Sequence, residues 1–484
     1  MTIALPWNDV SSRGITTLLL AIAASIIVGS VTSVLNLAAH QILVVGLTGG
    51  LIGAAFTSRY FSSTPWEVAA FTIVSSGASF AGGFLAIELY SLNDLDSQYL
   101  AKRFWAVSAF PLLIALTGIA LLQNRGALKL TFLPLLFLLT AGVGTVWGIT
   151  NGNSLSGIAR EEVKLLTLPL LVIVMNGAIR DERQFNSLAT LVAITALPFA
   201  VLGLNVPPFR PGGLVVIALL VLALRTRTAL ILLLCLTPLI LDDVLRQRAG
   251  FAALLIGVAV LGCYWLKDAR GRKTLLVAVP VLMMVVGGIY YSGASEGTGL
   301  SKRITNLQAA QERRGELDQA LQQRMYEIEE IRLEVSSKGL PWAILGAGSG
   351  AGIDLTGATV SAVRARVSDL ADVGTIHIGP ADVYHKWGLL GLTIYFSLGA
   401  YLGLWWFKRL TRKEQIEPGV IVLALYAVMI YADSIGTSNH MWSNGTAWIA
   451  IAAMLRSDSL RDLPKIKHVT QLESVQTRPA GGRL

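Results

Sequence analysis

The run GLLGLTIYFSLGAYLGLWWF, Gly388 to Phe407, holds no charged residue in 20 positions and ends against Lys408-Arg409-Leu-Thr-Arg412-Lys413. Bilayer hydrocarbon is roughly 30 Å thick and an α-helix rises about 1.5 Å per residue, so a run of this length spans it. Backbone N–H and C=O groups find no partner in lipid, so such a run crosses as a helix. The basic cluster behind it marks a cytoplasmic end, because Lys and Arg concentrate in the short loops on that side.

The same pattern recurs along the chain on both sides of this segment. Apolar runs fall near residues 15–34, 38–56, 67–90, 104–123, 129–149, 163–179, 187–206, 212–226, 227–241, 251–266, 274–293, 388–407, 418–437 and 445–456, about fourteen spans. The pair at 212–241 is short enough for a tilted pair or a re-entrant unit. Across the 484 residues, 54% are hydrophobic and 14% charged, and the mean hydropathy is +0.62. These values describe an all-α polytopic membrane protein. The run from Ile15 reads as a retained span, since only Arg13 precedes it as a basic residue and no small-residue cleavage site follows. Cys235 and Cys263 both sit in apolar runs and read as small core residues, which excludes a disulfide framework. The net charge of +9 belongs to cytoplasmic loops, so nucleic acid is not an expected partner.

Three basic segments fix the orientation: Lys267 to Lys273, Lys408 to Lys413, and the tail carrying Arg461, Lys465 and Lys467. With these cytoplasmic, everything between spans 274–293 and 388–407 faces outward. Both termini are then cytoplasmic, and Arg180, Arg183, Arg225 and Arg227 fall inside. The organisation is therefore a body of eleven spans over 1–293, one large extracytoplasmic loop over 294–387, three spans over 388–456, and a tail over 457–484 that reads as disordered.

The loop holds a polar helix from about 301 to 338 with apolar positions at Leu317, Leu321, Met325, Ile328 and Val335, capped by Ser301. Gly315 bends it, and Gly339 with Pro341 ends it. The following run Gly346-Ala-Gly348-Ser-Gly350-Ala-Gly352 lacks the Lys-Ser or Lys-Thr of a phosphate loop and reads as a tight, close-packed turn.

Several charged residues sit where chemistry could use them. Arg246 and Arg248 stand at the outer ends of two spans, against the positive-inside bias. They either pair with Asp242 and Asp243 or bind an anionic lipid head group, for which the guanidinium fork is suited. Arg324 lies beside the apolar face of the loop helix, where Glu327 or Gln323 is the ordinary partner. His377 and His385 precede span 388–407 on the outer side, and imidazole is the side chain best placed to take a proton near neutral pH. No Cys, His and carboxylate spacing specifies a metal site.

Taken together, these features resemble the O-antigen polymerase and O-antigen ligase superfamily of membrane glycosyltransferases. His377 stands eleven residues before Gly388-Leu-Leu-Gly391-Leu, as the histidine of that family precedes a span. Arg248-Ala-Gly250 is similar to its outward Arg turn. Arg324 ahead of Pro341 and Gly346-Ala-Gly348 is similar to its loop Arg. The resemblance covers residues 240–410, with Ile378 where Asn often follows the His and Ala249 before Gly250 as departures.

The resemblance implies a GT-C type membrane enzyme of the bacterial inner membrane with an extracytoplasmic active site. It implies an undecaprenyl-diphosphate-linked glycan as donor and a glycan or lipid A core as acceptor. No metal or other cofactor is implied; membrane lipid and a chain-length regulator protein are the further partners to expect. His377 would be the general base, with His385 as rival, and Asp382 or Asp433 would orient it. Arg248 and Arg324 would hold the diphosphate, helped by Arg246 and Arg210. The alternative is a polysaccharide or lipid-linked oligosaccharide transporter or flippase. Transporters place functional charges at the midplane and often show repeats; here the charges gather at the outer edge and no repeat is visible.

Overall fold

A computed structural model describes residues 64–76, 94–203, 248–267 with 271–273, 276 and 280, 319–352, 378–412, 416–436 and 445–462. Among the described residues every regular element is helical. In chain order these are α1 (Asp94–Gln123), α2 (Phe132–Thr150), α3 (Leu155–Ala178), α4 (Gln184–Gly203), α5 (Arg248–Trp265), α6 (Gln319–Lys338), α7 (Leu340–Leu345), α8 (Gly379–Thr411), α9 (Pro418–Gly436) and α10 (Gly445–Asp462). Three of them, α2, α8 and α9, are long and apolar enough to cross a membrane.

Apart from the polar helix α6 and the short α7, the described helices lie on the apolar runs, because satisfying the backbone internally is the only low-energy choice for such a run. The expected limits 129–149 and 418–437 meet α2 and α9 within a few residues. Polar side chains inside the bundle follow the same rule: Thr117, Thr140 and Thr167 each donate to the carbonyl four residues back. Spans expected at 15–34, 38–56, 212–226 and 227–241 lie outside the described residues, as do most of 274–293 and the tail beyond residue 462.

The core joins α1, α2, α3, α8, α9 and α10 around Phe137, Leu165, Leu168, Tyr395, Trp405 and Trp448, all buried. Glycine allows close approach: a Cβ on Gly257 of α5 would stand 2.6 Å from the Met429 side-chain sulfur of α9, and one on Gly419 of α9 would stand 2.3 Å from the Phe185 backbone carbonyl of α4.

Charges separate the two ends. At one end Arg461 of α10 pairs with Glu182, Arg456 donates to the Ile179 carbonyl, Arg409 pairs with Asp458 at 2.6 Å, and Lys267 donates to the carbonyls of Arg409 and Arg412. These are the positions the sequence groups as basic loops on one side. The other end gathers the C-terminus of α2, the N-terminus of α3, α7, the glycine run and the start of α8.

Some expectations are corrected. Helix α3 begins at Leu155, eight residues before the apolar run at 163, because Ser154 caps it by accepting from the Gly157 N–H at 3.2 Å. Cys263 is exposed rather than in the core, since α5 turns Leu261 and Trp265 inward. On α6 the buried side runs through Glu327, Ile331 and Val335, of which Ile331 and Val335 pack with Ala381 and Tyr384 of α8, while Met325 and Ile328 are exposed. Gly339 ends α6 with φ +82°, as expected, but Pro341 opens a new short helix, where its fixed φ and missing N–H suit the first turn. The expected stretch 301–318, with Leu317, lies outside the described residues.

Candidate functional site

The start of α8 organises the charged end. Its helix breaks at Gly388, whose φ of +58° is left-handed, between a polar first part and the apolar run 389–411. The break frees the carbonyls of His385 and Lys386 from their helical partners. The N–H groups of Ala347 and Gly348 take them at 2.7 and 2.9 Å. The glycine run is therefore the tight turn its sequence suggests, docked between α8 and the α2–α3 corner. Trp147 Nε1 donates to the Gly346 carbonyl, Asn151 to that of Ala347, and Asn153 to those of Ala347 and Ser349, all within 3.2 Å. Gly346, Gly348 and Gly350 all have positive φ, and a Cβ on any of them would come within 2.6 Å of backbone atoms.

Beneath this turn lies a buried ionic cluster. Lys386 Nζ stands 3.1 Å from Asp382 Oδ1, one helical turn back, and 3.3 Å from Glu161 Oε1 of α3. Lys164 Nζ reaches both Glu161 oxygens at 2.7 Å, and Arg160 adds a contact at 3.5 Å. Lys386, Asp382 and Glu161 are each about 1% exposed. Burial alone would raise the Glu161 pKa, but Lys164 and Lys386 beside it hold the carboxyl down to about 2. Glu162, one residue on, behaves oppositely: burial pushes its pKa up, against hydrogen bonds from Ser349 and Thr145. Trp387 Nε1 donates to Ser349 Oγ at 3.0 Å, and that hydroxyl donates to Glu162 at 2.6 Å.

The residues nominated by sequence distribute unevenly. Asp382 serves the ionic cluster. His385 is buried, and its Nε2 lies 3.0 Å from Glu334 Oε2, which ties α6 to α8. Asp433 is buried near the end of α9, beside Ser434, whose hydroxyl meets the Tyr395 hydroxyl at 2.9 Å. Ser434 also touches Gly379 at the start of α8, so Asp433 shares this end of the bundle.

Helix α5 begins at Arg248 and runs toward Lys267 at the opposite end, roughly 26 Å away, so Arg248 starts its helix at the end where α8 starts. Arg324 is half-buried on α6, about 15 Å along the axis from Glu334. His377 lies outside the described residues, one position before Ile378, which caps α8; Arg210 and Arg246 also lie outside them. Among the described residues, no group of three His, Cys, Asp or Glu side chains could hold a metal ion.

Sequence reasoning missed the cluster itself. Glu161 and Lys386 are 225 positions apart, and no local pattern pairs them. The legible signal was the i, i+4 spacing of Asp382 and Lys386 just ahead of an apolar run. No protein-family model matches the chain, and no curated protein does.

Proposed function

We propose that this protein is a bacterial inner-membrane glycosyltransferase that moves a glycan from undecaprenyl diphosphate to a sugar hydroxyl on a second glycan or on lipid A core. The supporting observation is a convergence at one end of an apolar bundle. The start of α5 at Arg248, Asp433 near the end of α9, and the start of α8 immediately after His377 all come to that end. A polymer or lipid-linked substrate confined to a membrane surface needs its cations and its base there, and nowhere deeper.

In the reaction proposed, the acceptor oxygen attacks the anomeric carbon while the bond from that carbon to the diphosphate oxygen breaks, inverting the centre. The electron pair leaves on undecaprenyl diphosphate. Arg248 and Arg324, with Arg246 and Arg210, would hold that developing charge by bidentate hydrogen bonds. The acceptor proton goes to His377, a transfer worth about 10²–10⁴-fold. His385 is engaged with Glu334 inside the fold, which suits an anchor for α6 better than a base exposed to substrate.

Glycan analysis of a strain lacking this protein tests the reading. Acceptors carrying a single repeat indicate a polymerase, and long chains accumulating on the carrier lipid indicate a ligase. Unchanged linkages with carrier-bound glycan retained on the cytoplasmic side would instead indicate a flippase.

A further inference from the structure

Helix α7 is too short and too apolar to be an ordinary solvent-facing turn. Leu340 is 71% and Ile344 43% exposed, on the same side of the helix at i and i+4 spacing. Its level in the bundle is fixed by three contacts. The Ile344 backbone abuts Gly388, the point where the apolar run of α8 begins with exposed Leu389. The next carbonyl but one, that of Gly346, accepts from Trp147, one turn from the end of α2. The outward side of α2, which ends one turn past Trp147, carries exposed Phe132, Leu135, Leu139, Val146 and Ile149, an apolar stripe along its length that suits lipid. Leu340 and Ile344 thus stand where two membrane-spanning apolar surfaces end, and they prolong those surfaces sideways.

The flanking residues match an interfacial setting. The Lys338 ammonium lies 5.5 Å from the Trp342 ring centroid, with the ring half-buried against Ile331 and Val335. Aromatic rings and lysines of this kind collect at the headgroup level, ring toward the apolar layer and ammonium toward phosphates.

We infer that α7 is a membrane foot. Its Leu340 and Ile344 side chains enter the acyl-chain boundary of the leaflet at that end of the bundle, with Lys338 and Trp342 at the headgroups, and this seats the helix α6 on the bilayer. The foot fixes the height of α6, and hence of Arg324, above the membrane. The inference depends only on the bundle being membrane-embedded, and stands or falls apart from the glycosyltransferase reading.

The test uses the full chain in lipid nanodiscs with Cys235→Ala and Cys263→Ala, and a nitroxide attached at Leu340→Cys, Ile344→Cys or, for reference, the exposed Ser336→Cys. All three positions are on the surface, so labelling leaves the core intact. Collision with oxygen, which partitions into lipid, is compared with collision with a water-soluble nickel chelate. The oxygen-to-nickel ratio should be several-fold higher at 340 and 344 than at 336. Ratios equal to that at 336 would place α7 in water, and labels shielded from both relaxants would mean that protein covers it; either result overturns the inference.

Discussion

Glu161 is the residue on which the charged end turns. It is the common partner of Arg160, Lys164 and Lys386, and removing one member of a buried ionic group leaves the others uncompensated. Glu161→Gln should therefore destabilise the protein by about 3–5 kcal/mol, read as a lower thermal midpoint in detergent. The pH dependence follows from its lowered pKa. A carboxyl that binds protons less tightly when folded stabilises the fold above its ordinary value near 4.5, and that contribution disappears as pH falls toward about 2. The wild type should lose stability across that window, and Glu161→Gln should lose markedly less. Parallel acid profiles for the two would refute this role. Glu162 carries the opposite sign: burial raises its pKa, so it favours the fold in its protonated form and its contribution weakens as pH rises.

At the scale of the element, the glycine turn and the break at Gly388 act as one joint. Gly348 combines φ +88° with a position where a Cβ would stand 2.6 Å from the backbone of Gly148, whereas Gly152 has φ +76° and open space around it. Gly152→Ala should cost about 1 kcal/mol from left-handed strain alone. Gly348→Ala should cost several times as much, because the turn must also leave its seat on α2. Thermal unfolding of both variants checks the contrast, and equal losses would contradict the docked turn.

These elements also show what the sequence makes legible. Apolar runs announce helices such as α2 and α9 to within a few residues, since nothing but a helix satisfies their backbones. The glycine spacing announces a tight turn, and Gly388 announces where the apolar part of α8 begins. What lies hidden is pairing across the bundle. Whether Met325 or Ile331 faces inward on α6 depends on where α8 offers Ala381 and Tyr384, and amphipathic spacing alone does not choose between overlapping stripes. Likewise Lys386 reads as one more basic residue near a span until Glu161 arrives from another helix.

Over the whole molecule, the two ends of the bundle differ in what they hold. One end holds the Arg461–Glu182 and Arg409–Asp458 pairs and Arg456 on the Ile179 carbonyl, and the other gathers the glycine turn, α6 and the ionic cluster. With the first end cytoplasmic, a membrane-impermeant thiol reagent should label Ser337→Cys in intact cells and Arg183→Cys only after lysis. The reverse pattern would invert the topology and with it the extracytoplasmic site.

In the function proposed, Arg248, Arg324 and His377 act on one lipid diphosphate at that outer end. This function is tested most directly with purified protein and an undecaprenyl-diphosphate-linked glycan, comparing turnover by the wild type with His377→Ala, Arg248→Ala and Arg324→Ala. The histidine variant should lose transfer by about 10²-fold or more while still binding donor, and each arginine variant should bind donor more weakly. Near-normal product from His377→Ala, in protein as stable as the wild type, would contradict that function.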